Sequence, residues 1–200
     1  MQPARTHNAP VPLNLPMLLT LMRVLAIPFV VLAFFWPTPW AGPIAASLFL
    51  LAAITDWFDG WLARRWNQTS AFGAFLDPVA DKLIVATSLV ILLSQDASIM
   101  LSILVAVIIG REITVSALRE WMAEIGARAS VAVSWVGKVK TSFQMTAIVL
   151  MLWGMPLGPI PVYELGYGLL FVAAGLTLWS MAMYLRAAWP VLSEHSDQKA

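Results

Sequence analysis

Long apolar runs, separated by short polar or Pro/Gly-rich breaks, set the rhythm of this chain. A hydrocarbon layer about 30 Å thick is crossed by roughly 20 helical residues at about 1.5 Å each. On that ruler the pattern predicts six helices, at about 17–36, 42–65, 78–95, 98–121, 134–154 and 164–187. The breaks carry turn chemistry: Trp36-Pro-Thr-Pro, Asn67-Gln-Thr-Ser and Gly154-Met-Pro-Leu-Gly-Pro-Ile-Pro. Residues 1–16, with Pro3, Pro10, Pro12 and Pro16, read as an irregular arm that lacks the charged start and cleavage site of a signal peptide. Residues 17–188 form one six-helix membrane domain, and residues 189–200 read as a polar, unstructured tail. No internal repeat interrupts this plan. The expected fold class is all-α, a polytopic membrane protein with six transmembrane helices.

Composition agrees, because 60% of residues are hydrophobic and only 12% charged, where a soluble domain carries about 25% charge. Six buried helices of a soluble bundle would need polar faces that these segments lack. Lys and Arg are missing from the connections near 37–41, 95–98 and 154–163. Arg5, Arg64, Arg65, Arg119, Arg128, Lys138, Lys140, Arg186 and Lys199 all fall on the other side. The positive-inside rule makes that side cytoplasmic and puts both termini there. Tryptophans near helix ends, such as Trp36, Trp40, Trp121 and Trp153, read as interfacial anchors. Pro28 is expected to kink the first helix. There is no cysteine, and His7 and His195 lie near opposite ends. Disulfides, a thiol nucleophile and a His or Cys metal site are thereby excluded. Any metal must be held by oxygen.

The oxygen is supplied by aspartates. Asp56 and Asp59 are three apart, and Asp77 and Asp81 four apart, so each pair shares a helical face. A short connection makes their helices antiparallel neighbours, and the pairs can face each other. Four carboxylates converging at an apolar boundary repel unless cations neutralise them. Hard oxygen ligands suit Mg²⁺, Mn²⁺ or Ca²⁺, and four are enough for a two-metal site on a phosphoryl group. Gly60 and Ala63 keep the same face low, and Arg64 ends it where a phosphate could pair. Blander roles exist for each residue. Intramembrane acids also line cation pathways in transporters, Asp77 before Pro78 suits a helix N-cap, and Arg64 and Arg65 suit simple anchoring.

Together the residues spell D-x2-D-G-x2-A-R-x8-G-x3-D-x3-D, filled by Asp56, Asp59, Gly60, Ala63, Arg64, Gly73, Asp77 and Asp81. This resembles the signature of the CDP-alcohol phosphotransferase family. The resemblance implies that the four aspartates hold two metal ions, Mg²⁺ or Mn²⁺, on the pyrophosphate of a CDP-linked donor. It also implies that Asp81 is the base on the acceptor hydroxyl and that CMP is expelled by direct attack. Gly60, Ala63, Arg64 and Gly73 would then contact the donor. Asn14, Thr20 and Arg23, at the start of the first helix, line the donor site by the same resemblance, or else cap the helix and snorkel. Lys82 reads as a counter-charge.

The acceptor is suggested by cations on the aspartate side of the membrane. Arg111 and Arg119 lie eight apart, and Lys138 and Lys140 open the fifth helix. Such a cluster suits a phosphate monoester. Arg111, Arg119 and Lys138 are expected to bind it. Arg111-Glu112 and Arg119-Glu120 could instead be internal ion pairs, and Lys140 reads as a positive-inside residue only. Asn14–Arg23, Gly73–Lys82, Arg111–Glu120 and Gly137–Thr141 also match the family's bacterial phosphatidylglycerophosphate synthase branch. That resemblance implies CDP-diacylglycerol as donor, sn-glycerol 3-phosphate as acceptor, a homodimer in the lipid bilayer of the inner membrane, an active site facing the cytoplasm, and no nucleic acid as partner. The alternatives are a relative using inositol phosphate, serine or phosphatidylglycerol as acceptor, or a cation transporter.

Overall fold

The computed structural model describes residues 15–66, 71–125 and 135–197. Six helices follow in order: α1 (Leu15–Phe34), α2 (Ala41–Trp66), α3 (Ala71–Gln95), α4 (Ile99–Glu124), α5 (Trp135–Trp153) and α6 (Val162–Asp197). No strand occurs among the described residues; a lone bridge joins Leu157 and Ile160 in the turn before α6. Gly154 and Gly158 in that turn have φ of 64° and 61°, a left-handed conformation that glycine adopts without steric cost.

Two elements differ from expectation. α3 starts at Ala71 rather than 78, so Pro78 lies inside the helix. Proline favours first turns and restricts the residue before it, which is why the sequence reads as a helix start there. Packing against α1 overrides that preference, and Asp77 is no N-cap. α6 runs on through the segment expected to be an unstructured tail, to Asp197. α1 is likewise continuous through Pro28.

Among the described residues, α4 and the stretch Val162–Arg186 of α6 are long and apolar enough to cross a membrane. Only 33% of each apolar window is buried inside the protein, whereas a core helix of a soluble protein would be mostly enclosed. The apolar runs of α1, α2 and α5 are shorter, at Leu18–Phe34, Ala41–Asp56 and Val139–Trp153. Leu25, Phe29, Leu51, Val90, Ile103 and Phe171 point outward. In water that belt would be an aggregation surface; lipid covers it without cost. The chain is an all-α membrane protein.

α1 packs on α2 and α3, α5 on α2, α3 and α6, and α4 on α3 and α6. The core runs through Phe49, Leu89, Leu101, Ile108, Ile148 and Leu170. Close approach depends on glycine at two places. A Cβ on Gly42 would lie 2.6 Å from the Leu152 carbonyl oxygen, and one on Gly166 would lie 2.8 Å from Met151 Cγ. At the end of the bundle away from the aspartates, the Tyr163 hydroxyl donates to Asp96 Oδ2 at 3.0 Å. Asp96 Oδ1 accepts from the Ser98 amide at 3.2 Å, and Ser98 Oγ in turn caps α4 by accepting from the Leu101 amide. This chain of bonds ties α6 to the α3–α4 connection.

Candidate active site

The aspartates gather around α1. Thr20 and Arg23 are three apart on one face of that helix, and both are almost fully buried. The Thr20 hydroxyl donates to Asp77 Oδ1. Arg23 Nη1 lies 2.7 Å from Asp56 Oδ1 on α2 and 3.5 Å from Asp81 Oδ1 on α3. Three of the four expected acids, from two helices, therefore meet the same two side chains. Thr20 is no cap, and Arg23 does not snorkel. The guanidinium is 1% exposed, while the Asp56 and Asp81 side chains are 39% and 47% exposed, so the cation backs an acidic surface that stays open. Gly73 is buried near the start of α3. Asp59, Gly60, Ala63 and Arg64 fall on α2 and Lys138 on α5, but their side chains lie outside the described residues, as does Asn14.

The donor set of Asp56, Asp77 and Asp81 is oxygen only, which fits a hard divalent cation rather than zinc or copper. Arg23 already holds a positive charge between two of these acids, so cation density at this place is compatible with the surroundings. Among the described residues no three carboxylates are drawn together closely enough to form a finished ligand cage.

Beside Asp81 opens a cleft of about 380 Å³ between α3, α4 and α5. Asp81 and Lys82 line one wall, Glu112 and Ile108 the next, and Thr141, Gln144 and Met145 the third. Glu112 Oε1 accepts from Lys140 Nζ and lies 3.4 Å from Arg111 Nη1. One carboxylate thus sits between two cations. Arg111 is buried and donates through Nη2 to Ser180 Oγ on α6 at 2.9 Å. Arg119 donates to the Tyr184 hydroxyl at 2.9 Å. Both guanidinium groups lie over the Tyr184 ring, at 5.6 and 5.3 Å from its centroid, within the range of cation–π attraction.

The structure therefore brings Arg111 and Arg119 together through Tyr184. The Arg111–Glu112 pair is present, while the described partner of Arg119 is Tyr184 rather than Glu120. Lys140, read from the sequence as an orientation signal only, is buried behind the cleft, where its ammonium donates to the lining residue Glu112. Thr141, Gln144, Ser180 and Tyr184 were not singled out from the sequence, and Glu112 was read there only as an ion-pair partner of Arg111. Gln144 did leave a signal, as a polar residue in the apolar stretch of α5, one helical turn after Lys140.

The family model described as CDP-alcohol phosphatidyltransferase matches residues 13–184. A protein of Sodalis glossinidius named CDP-diacylglycerol–glycerol-3-phosphate 3-phosphatidyltransferase is 56% identical over 184 residues, covering 92% of this chain and 99% of its own. Proteins of the same name from Salmonella choleraesuis and Shigella flexneri serotype 5b are each 57% identical over 175 residues, covering 88% of this chain and 94% of their own. The match spans both the aspartate cluster and the cleft beside it. The chain belongs to the CDP-alcohol phosphatidyltransferase family.

Proposed function

We propose that this protein transfers the phosphatidyl group of CDP-diacylglycerol to sn-glycerol 3-phosphate, releasing CMP and phosphatidylglycerol phosphate. The observation that carries the reading is the convergence of Asp56, Asp77 and Asp81 on Thr20 and Arg23, at the edge of a cleft where cations flank Glu112. The names of relatives at 56–57% identity supply the substrates. In the reaction, the acceptor's primary hydroxyl oxygen attacks the β-phosphorus of the donor. A new O–P bond forms as the bond to the departing CMP oxygen breaks, and the hydroxyl proton passes to the Asp81 carboxylate. Positioning and charge neutralisation carry most of such a transfer.

Asp56, Asp59, Asp77 and Asp81 would hold two divalent ions, Mg²⁺ or Mn²⁺, which when bound neutralise the pyrophosphate and polarise its P–O bonds. Arg23 fixes Asp56 and Asp81 from behind, and Thr20 fixes Asp77, so the acids are aimed before substrate arrives. Gly60, Ala63, Arg64, Gly73 and Asn14 border the donor. Arg111, Arg119 and Lys138 hold the acceptor phosphate, and Lys140 supports them from behind Glu112. The catalytic domain spans 17–188, between an N-terminal arm whose last two residues, Leu15 and Pro16, already belong to α1 and the segment 189–200, which α6 enters as far as Asp197. The positions of Lys and Arg favour a site on the cytoplasmic face of the inner membrane, with both termini on that face. Family resemblance supports a homodimer.

The test is CMP release by the purified full-length protein in lipid nanodiscs. CDP-diacylglycerol plus sn-glycerol 3-phosphate should give CMP with Mg²⁺ or Mn²⁺ and none with EDTA. Faster release with serine or inositol phosphate would reassign the acceptor. No release under any condition would remove the enzyme reading.

A further inference from the structure

Gln144 lies on α5 one turn beyond Lys140, only 4% exposed, and its Oε1 has no hydrogen-bond partner among the described residues. It lines the same cleft as Asp81, Glu112 and Thr141. Buried polar atoms are almost always paired, and an exception inside a ligand cleft asks for a ligand group. An amide oxygen only accepts, so the missing partner must be a donor. Ionised phosphates, acyl esters and hydrocarbon tails carry none. Both non-phosphorylated oxygens of the donor's glycerol are esterified. The nucleotide does carry donors, but Asp56 and Asp77 tie the donor side of the site to α1, whereas the cleft lies on the α3–α4–α5 side of Asp81. The hydroxyls of the acceptor remain.

We propose that Gln144 determines acceptor specificity, its Oε1 accepting a hydrogen bond from the acceptor's secondary hydroxyl, the one that does not react. The proposal rests on the phosphatidyl-transfer reading and names the residue that recognises the polyol. Lys140 and Gln144 are four apart, which puts them side by side along one face of α5. Lys140, held behind Glu112, adds positive charge toward the phosphate end, and the amide takes the middle carbon's hydroxyl. Asp81, on α3 at the same cleft, takes the remaining primary hydroxyl. Three contacts on a three-carbon chain fix which end attacks.

A site built to bond a hydroxyl discriminates against an analogue that lacks it, because the protein's polar atom is then left unpaired. The experiment compares kcat/KM for sn-glycerol 3-phosphate with that for 3-hydroxypropyl phosphate, which keeps the phosphate and primary hydroxyl but has no secondary one. Full-length protein in nanodiscs with CDP-diacylglycerol and Mg²⁺ is used. The wild type should prefer glycerol 3-phosphate by roughly 10- to 100-fold. Gln144→Leu should erase that preference by lowering kcat/KM for glycerol 3-phosphate alone. Gln144→Met, closer in shape, should do the same if the leucine variant fails to fold. An equal fall with both acceptors would overturn the proposal, since Gln144 would then serve packing or a bound water. Equal use of both acceptors by the wild type would overturn it as well. If the wild type released no CMP with either acceptor while remaining folded, the transfer reading itself would fall, and the proposal with it.

Discussion

Arg23 is the residue whose removal speaks most directly to how the aspartate cluster is held. Its guanidinium is buried, 2.7 Å from Asp56 and 3.5 Å from Asp81. At an effective dielectric constant of about 20, unit charges at those separations attract by about 6 and about 5 kcal/mol. Most of that is offset by the cost of stripping water from the guanidinium, and solvent reaches the two half-exposed acids. Breaking a buried pair costs about 3–5 kcal/mol, and the exposure of the acids puts Arg23→Gln near the lower end, about 3 kcal/mol. For a chain of this length that is a fall in Tm of about 6–12 °C. The assay is thermal unfolding of the purified protein in detergent, with EDTA and with saturating Mg²⁺. The loss should be largest in EDTA, because a divalent ion at the same acids supplies the missing positive charge. Arg23→Lys, which keeps a charge but not the fork, should lose less. An Arg23→Gln deficit that is the same with and without Mg²⁺ would refute the electrostatic account, leaving packing as the role of this side chain. No deficit at all would show that Asp56 and Asp81 do not need it.

Other outcomes follow from the same geometry. Asp81→Asn should bring CMP release below about 1% of the native rate, the scale of losing a positioned base, while the variant still unfolds cooperatively; near-native turnover would exclude Asp81 as base. Lys140→Met removes one of the two cations on Glu112 and should raise the KM for glycerol 3-phosphate by about tenfold, the scale of one charge-assisted bond, read from initial rates. Adding Glu112→Gln to Lys140→Met should cost less than the two separate losses combined, because the pair is broken only once. Gly42→Ala drives a Cβ to 2.6 Å from the Leu152 carbonyl oxygen, so α2 and α5 must separate at a cost of about 1–3 kcal/mol; Tm should fall while kcat of the folded fraction stays native.

The acids were legible in the sequence because their spacing alone places them on helix faces. What fixes them was not. Arg23 and Asp81 are 58 residues apart, and nothing local to α1 shows that its cation turns inward rather than toward the water. The start of α3 differs from the sequence expectation because Asp77-Pro78 carries a real helix-start signal, outweighed here by packing on α1. Lys140 was undervalued for a similar reason. A lysine beside Lys138 at a helix start satisfies the positive-inside pattern wherever its side chain points, and only the approach of Glu112 from α4 shows that it is paired and buried. Tyr184 is one aromatic among many in an apolar helix. Its position between Arg111 and Arg119 depends on how α4 lies against α6, which no pattern within either helix encodes.

The two halves of the site carry opposite charge, and that asymmetry fits the division of labour proposed for them. On the α1 side, three described carboxylates gather around Thr20 and a single guanidinium, which pairs with two of them. On the α4–α5 side, one carboxylate faces two cations. In an apolar surrounding neither excess is comfortable. The first invites a divalent cation, and the second invites an anion such as a phosphate. Asp81 belongs to both, touching Arg23 on one side and lining the cleft on the other. A reaction that joins a cation-bound pyrophosphate to a phosphorylated alcohol needs the two charges kept apart and one carboxylate at the seam. Exchanging that balance, for example by making Glu112 neutral, would strengthen the pull of the cleft on any anion. The nucleotide's own phosphates would then compete with the acceptor. On the proposed reaction Glu112 therefore does more than satisfy Lys140: it tempers the positive excess that the cleft offers to an anion.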